Sequence, residues 1–113
     1  VSIHVIKTKE TENLISKEKL DLLKNSAILI NTSRGGVVDE DYLIELLKLK
    51  KLFGAGLDVY SEEPPNNTDN FSDINLITTP HIGAYTNEAQ LKAGLDTVEN
   101  IQKLLAGDDS VAL

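Results

Sequence analysis

Ala27-Ile28-Leu29-Ile30 is an unbroken apolar run that stops at Asn31 and meets the pair Gly35-Gly36 a few positions later. It is too short for a helix to bury a stripe and lacks the in-out alternation of a half-solvated strand. Such a run predicts a strand covered on both faces of a parallel sheet. A parallel sheet needs crossover connections, and the sequence supplies them. Val1 to Val5 reads as a first strand, and Ser16 as the N-cap of a short helix to Leu23 with Leu20 and Leu23 inward. Asp39 caps a helix carrying Tyr42, Leu43, Leu46, Leu47 and Leu49 or Leu52 at helical spacing. Phe53–Val59 and Asn75–Thr79 are further strands, and a long helix opens at Thr86 and closes at Gly107. Strands alternating with helices specify an α/β fold, a parallel sheet with flanking helices joined by crossovers. Residues 61–73, with Pro64, Pro65 and several asparagines, form a surface excursion.

Composition narrows the partners. A formal net charge of -7 repels phosphate backbones and anionic membranes, so neither nucleic acid nor membrane is an expected partner. The chain has no cysteine and two distant histidines, which leaves no plausible set of metal ligands; a reducing, cytoplasmic setting fits. No apolar run is long enough to span a bilayer. The first residue already belongs to a strand, so the chain reads as cut from a longer protein.

Three strand ends carry chemistry: Asn31-Thr32-Ser33-Arg34-Gly35-Gly36, Leu57-Asp58-Val59-Tyr60-Ser61-Glu62-Glu63-Pro64, and Thr79-Pro80-His81-Ile82-Gly83-Ala84. In open α/β sheets ligands bind outside the carboxyl ends of the strands. Arg34 is either half of a surface salt bridge or a planar fork for a carboxylate. Asp58 either anchors a cofactor head group or binds neighbouring backbone amides. Glu62 and Glu63 form either a solvated acidic loop or the partner of His81, whose tautomer a carboxylate would fix. His4 reads as a satisfied strand histidine. The apolar positions of the last helix, Ala89, Leu91, Leu95, Val98, Ile101, Leu104 and Leu105, read as core, with a subunit interface as the alternative.

Taken in order, the three segments resemble the arginine, glutamate and histidine signatures of the D-isomer-specific 2-hydroxyacid dehydrogenases, and the similarity runs along essentially the whole chain. The resemblance implies the second half of a Rossmann-type nucleotide-binding domain over residues 1–113, with the glycine-rich half and the substrate domain absent. It implies NAD as cofactor, a small 2-oxo or 2-hydroxy acid as substrate and a homodimer. Phosphoglycerate is the first choice of substrate, and glyoxylate, hydroxypyruvate or D-lactate chemistry the alternatives. A corepressor of the same fold that senses NAD is a rival outside catalysis. By the same resemblance, Arg34 grips the substrate carboxylate, His81 donates the proton and Glu63 hydrogen-bonds His81. His4, Thr32, Ser33, Arg34, Asp58, His81, Gly83 and Ala84 match cofactor-lining positions. The sequence departs from the family pattern at Ile6, where proline is usual, and contains no G-x-G-x-x-G.

Overall fold

The computed structural model describes residues 1–66 and 68–111. Four strands, β1 (Ser2–Ile3), β2 (Ile28–Asn31), β3 (Gly54–Leu57) and β4 (Leu76–Thr78), form one sheet in the order β1-β2-β3-β4. Every pair is parallel, with Ser2 opposite Ile30, Leu29 opposite Ala55, and Gly56 opposite Ile77. Helix α1 (Lys17–Leu20) joins β1 to β2, and α2 (Glu40–Lys48) joins β2 to β3. The chain divides into two compact units, residues 1–82 and the stretch from Gly83 onward, which holds α3 (Asn87–Leu105).

Register decides which side chains meet. Side chains alternate across a strand, so Ile3, Leu29, Asn31, Ala55 and Leu57 share one face, and all five are buried. Against them lie Leu20 of α1 and Leu43, Leu46 and Leu47 of α2, spaced so that one helical stripe points inward. Each fully buried leucine contributes about 1.5–3 kcal/mol over an exposed one. The opposite face carries Ile28 and Ile77, both exposed, and half-buried Ile30. The expected burial of β2 on both faces is therefore met on one face only: the apolar run was read correctly as a strand, but its alternate residues have no covering layer among the described ones.

Two caps also separate expectation from structure. Asp39 accepts the amide of Tyr42 at 3.1 Å, a bond typically worth about 1 kcal/mol at a helix N-terminus. Ser16 stands at the N-cap of α1 without capping it, because its hydroxyl donates to Glu18 Oε2 at 2.6 Å, and the helix ends after a single turn at Leu20 instead of continuing to Leu23. At the end of α2, Lys51 N–H reaches the Leu46 carbonyl and Lys50 N–H that of Leu47, with Lys50 at φ +55°. This is a Schellman closure with lysine where glycine is usual. It ends α2 before Leu52, which is buried, and leaves Leu49 exposed.

Within its own unit α3 is capped by Thr86, which accepts from Ala89 N–H at 3.1 Å, and closed by Gly107 at φ +84°. The core role expected for its apolar stripe is not seen: no described residue of α3 is buried, and Leu91, Leu95, Val98 and Leu105 are exposed. Among the described residues, no helix is long and apolar enough to cross a membrane.

Candidate active site

β2, β3 and β4 run parallel and adjacent, so their carboxyl ends open on the same edge of the sheet. The arginine, glutamate and histidine segments leave from those ends. The loop after β2 is shaped by a residue the sequence did not single out. Asn31 is completely buried; its Oδ1 accepts from the Ser33 amide at 3.1 Å and hydroxyl at 2.9 Å, while its Nδ2 donates to the Arg34 carbonyl at 3.0 Å. One amide side chain thus folds the turn that presents Arg34. Thr32 and Arg34 stand exposed on it. The Arg34 guanidinium donates to the Ser33 carbonyl at 2.7 Å, and no described carboxylate pairs with it, so the salt-bridge alternative is not what is formed.

The loop after β3 supplies the acid. Glu63 Oε2 lies 2.8 Å from His81 Nδ1, and Glu63 Oε1 accepts the Tyr60 amide at 3.1 Å. Of the two adjacent glutamates, it is Glu63 that meets the imidazole. Its carboxyl is held below the usual carboxylate range, first by the hydrogen bond with His81 and then by the Tyr60 amide. The Glu63–Pro64 peptide is cis. Tyr60 is buried, and its hydroxyl lies 3.2 Å from the Leu57 carbonyl and 3.0 Å from that of Thr79, bracing the glutamate loop against the histidine loop. Burial raises the phenol's pKa.

His81 sits at φ +55°, a left-handed conformation uncommon for residues other than glycine, although histidine, like asparagine and aspartate, adopts it more often than most. Asp58 surrounds that turn. Only 4% exposed, it accepts the Thr79 hydroxyl at 2.5 Å and the Ile82 amide at 2.8 Å, one bond on each side of the histidine. Of the two readings of Asp58, the one formed is the strand-end carboxylate that binds nearby groups, and it does so directly around His81. Such conformations are held by their surroundings at a cost of about 1–3 kcal/mol and concentrate at functional sites.

The remaining candidates fall elsewhere. His4 is exposed just beyond β1, with Nε2 2.7 Å from the Ser2 hydroxyl. Gly83 and Ala84 belong to the second unit, where the Ala84 carbonyl accepts from Gln90 Nε2 at 3.2 Å. A cavity of about 760 Å³ borders Gly36, Glu40, Tyr60 and Ser61 without touching Arg34 or His81. Sequence reasoning passed over Asn31, Tyr60 and Thr79. The one available signal was polarity at the end of an apolar strand, since an asparagine or threonine there is buried only when its hydrogen bonds are met.

Residues 1–83 match the model of the D-isomer specific 2-hydroxyacid dehydrogenase NAD binding domain. The chain is 44% identical over 108 residues to D-3-phosphoglycerate dehydrogenase of Methanocaldococcus jannaschii, covering 96% of this chain and 21% of that protein. It is 51% identical over 90 residues to glyoxylate reductase of Thermococcus litoralis, covering 80% of this chain and 27% of the relative. It is also similar to the crystal structure of D-lactate dehydrogenase from Aquifex aeolicus complexed with NAD and lactic acid. That match has a TM-score of 0.87 at 32% identity and covers 98% of this chain and 38% of the other. The chain thus spans well under half the length of these relatives. A match over most of the chain, reached after an independent geometry of strand-end arginine, glutamate and histidine, has one reading: the chain belongs to the D-isomer specific 2-hydroxyacid dehydrogenases, through their NAD binding domain.

Proposed function

We propose that the protein is an NAD-dependent D-2-hydroxyacid dehydrogenase and that Arg34, Glu63 and His81 are its catalytic residues. The observation that carries this reading is the 2.8 Å contact between Glu63 and His81 at a strand end next to the one that presents an arginine with no carboxylate partner among the described residues. Reduction of a 2-oxo acid adds hydride to the carbonyl carbon and a proton to its oxygen. His81, protonated and oriented through Nδ1 by Glu63, donates that proton from Nε2. Arg34 binds the substrate carboxylate with two parallel N–H groups, and its positive charge favours the negative charge that develops on the carbonyl oxygen. Bound nicotinamide supplies the hydride. The donor set fits such a cofactor: Thr32 offers an exposed hydroxyl, Ser33 stands beside it, and Asp58 is a carboxylate at the end of β3. These residues, with Arg34 and His81, would hold it.

3-Phosphoglycerate is the first choice of substrate, supported by the 44% identity to a phosphoglycerate dehydrogenase. Glyoxylate or hydroxypyruvate is the alternative, supported by the 51% identity to a glyoxylate reductase over a shorter stretch. Steady-state oxidation of NADH by the whole protein, measured over phosphohydroxypyruvate, hydroxypyruvate, glyoxylate and pyruvate, tests both levels. Turnover of one acid with kcat/KM well above the others names the substrate. No turnover of any of them removes the dehydrogenase reading.

A further inference from the structure

Two of the three catalytic loops are tied together by a side chain that has no part in the chemistry proposed above. Glu40 opens α2, but the N-cap bond of that helix is made by its neighbour Asp39. The Glu40 carboxylate instead accepts two loop amides: Gly36 N–H to Oε1 at 3.2 Å and Ser61 N–H to Oε2 at 3.0 Å. Gly36 lies two residues after Arg34, and Ser61 two residues before Glu63. Where these loops meet, contact is backbone against backbone, since a Cβ on Gly35 would collide with the Tyr60 carbonyl.

We infer that Glu40 is a positioning residue, a two-oxygen bridge that holds the Arg34 loop at a fixed offset from the Glu63–His81 pair. The inference rests on the dehydrogenase reading for its catalytic consequence and on the geometry alone for the bridge. The chain of bonds is short. Glu40 fixes Ser61, the preceding amide of Tyr60 binds Glu63, and Glu63 binds His81. Both oxygens are needed, because each faces a different donor. A carboxylate suits the place for a second reason: the first turn of α2 carries the positive end of the helix dipole. The charge of Asp58 acts against the bonds that lower the Glu63 carboxyl, while Asp58, Glu40 and Glu63 each raise the pKa of the Tyr60 phenol between the loops.

Glu40→Gln separates bridge from bulk. The amide keeps one acceptor but turns an N–H₂ toward a second N–H, so one of the two ties is lost without a change in size. Asp41→Asn is the control, removing the same charge from the same helical turn with no loop bond at stake. In the whole protein, Glu40→Gln should lower kcat by about tenfold, since misplacement of reacting groups by an ångström costs up to about a hundredfold. KM should change less. Glu40→Ala should fall further, and Glu40→Gln should cost less in a Glu63→Gln background, because one acts through the other. Amide hydrogen exchange provides a reading independent of turnover: Gly36 or Ser61 should exchange faster in Glu40→Gln, both should in Glu40→Ala, and neither should in Asp41→Asn. Equal kcat in Glu40→Gln and wild type, or the same loss in Asp41→Asn, overturns the positioning role, and unchanged exchange at both Gly36 and Ser61 in Glu40→Ala overturns the bridge. If wild type reduces no 2-oxo acid, the functional reading falls, and exchange alone decides whether Glu40 couples the loops.

Discussion

Arg34 offers two parallel N–H groups where a lysine offers a rotating point charge, so Arg34→Lys keeps the charge and loses the grip. We expect kcat/KM for the 2-oxo acid to drop by at least about a hundredfold, the loss of a bidentate charge-assisted contact of about 3 kcal/mol. Initial rates across substrate concentration would show it, and unchanged constants would remove Arg34 from the site. For the dyad the sign follows from Glu63. Its carboxyl is lowered below its ordinary 4.5. The ionised form is therefore intact above that value, and the bond to His81 is lost only as pH falls through the lowered one. Glu63→Gln removes the ionised carboxylate and should remove the acid limb of the reduction profile that its protonation sets, while Glu62→Gln leaves the profile in place. His81→Asn should depress the rate by about 10²–10⁴-fold at every pH, the usual scale of a general acid. A shift caused by Glu62→Gln and not by Glu63→Gln would reverse the assignment.

Elements carry a different kind of constraint. The turn between β2 and α2 passes so close to Tyr60 that Gly35 has no room for a Cβ, and the atoms in the way are backbone, which cannot swing aside. Gly35→Ala should cost about 1–3 kcal/mol, the range for overpacking, and should lower turnover with it. Thermal melting and kinetics measured on the same preparation would test that pairing. At the far end of α2 the argument runs the other way. Lys50 occupies a left-handed position at φ +55° that a side chain adopts only at a cost. Lys50→Gly should stabilise the protein by up to about 1 kcal/mol, read as a rise in the denaturation midpoint with unchanged slope. The strands, the caps at Asp39 and Thr86, and the closure at Gly107 were legible because apolar runs, capping residues and glycine act locally. The failure of Ser16 to cap was not, because its competitor Glu18 is chosen by rotamer rather than by spacing.

At the scale of the molecule, parallel topology was readable from the alternation of strands and helices, and the convergence of the arginine, glutamate and histidine loops followed from it. Tyr60 was not readable as part of the site, since its bond to the Thr79 carbonyl spans 19 residues and only the assembled sheet edge defines it, whereas the bonds of Asn31 to Ser33 and Arg34 are local and its polarity at the strand end was the signal for them. The burial of α3 was misread for a related reason. An apolar stripe states that something should cover it and leaves the partner unnamed, and Leu95 and Val98 are exposed.

β2, β3 and β4 are neighbours in space in the same order as in sequence. The side-chain bonds that tie the three loops to one another are therefore made between Asn31 and Ile82, and from outside that stretch Asn13 N–H donates to the Gly36 carbonyl at 2.8 Å. The proposed catalytic apparatus is in this sense a cassette: a contiguous stretch that can be exchanged as one piece. A chimera carrying residues 31–82 of this protein within a relative of different specificity should keep the host's substrate preference and turn it over. A chimera that adopted the donor's preference would place selectivity inside these loops.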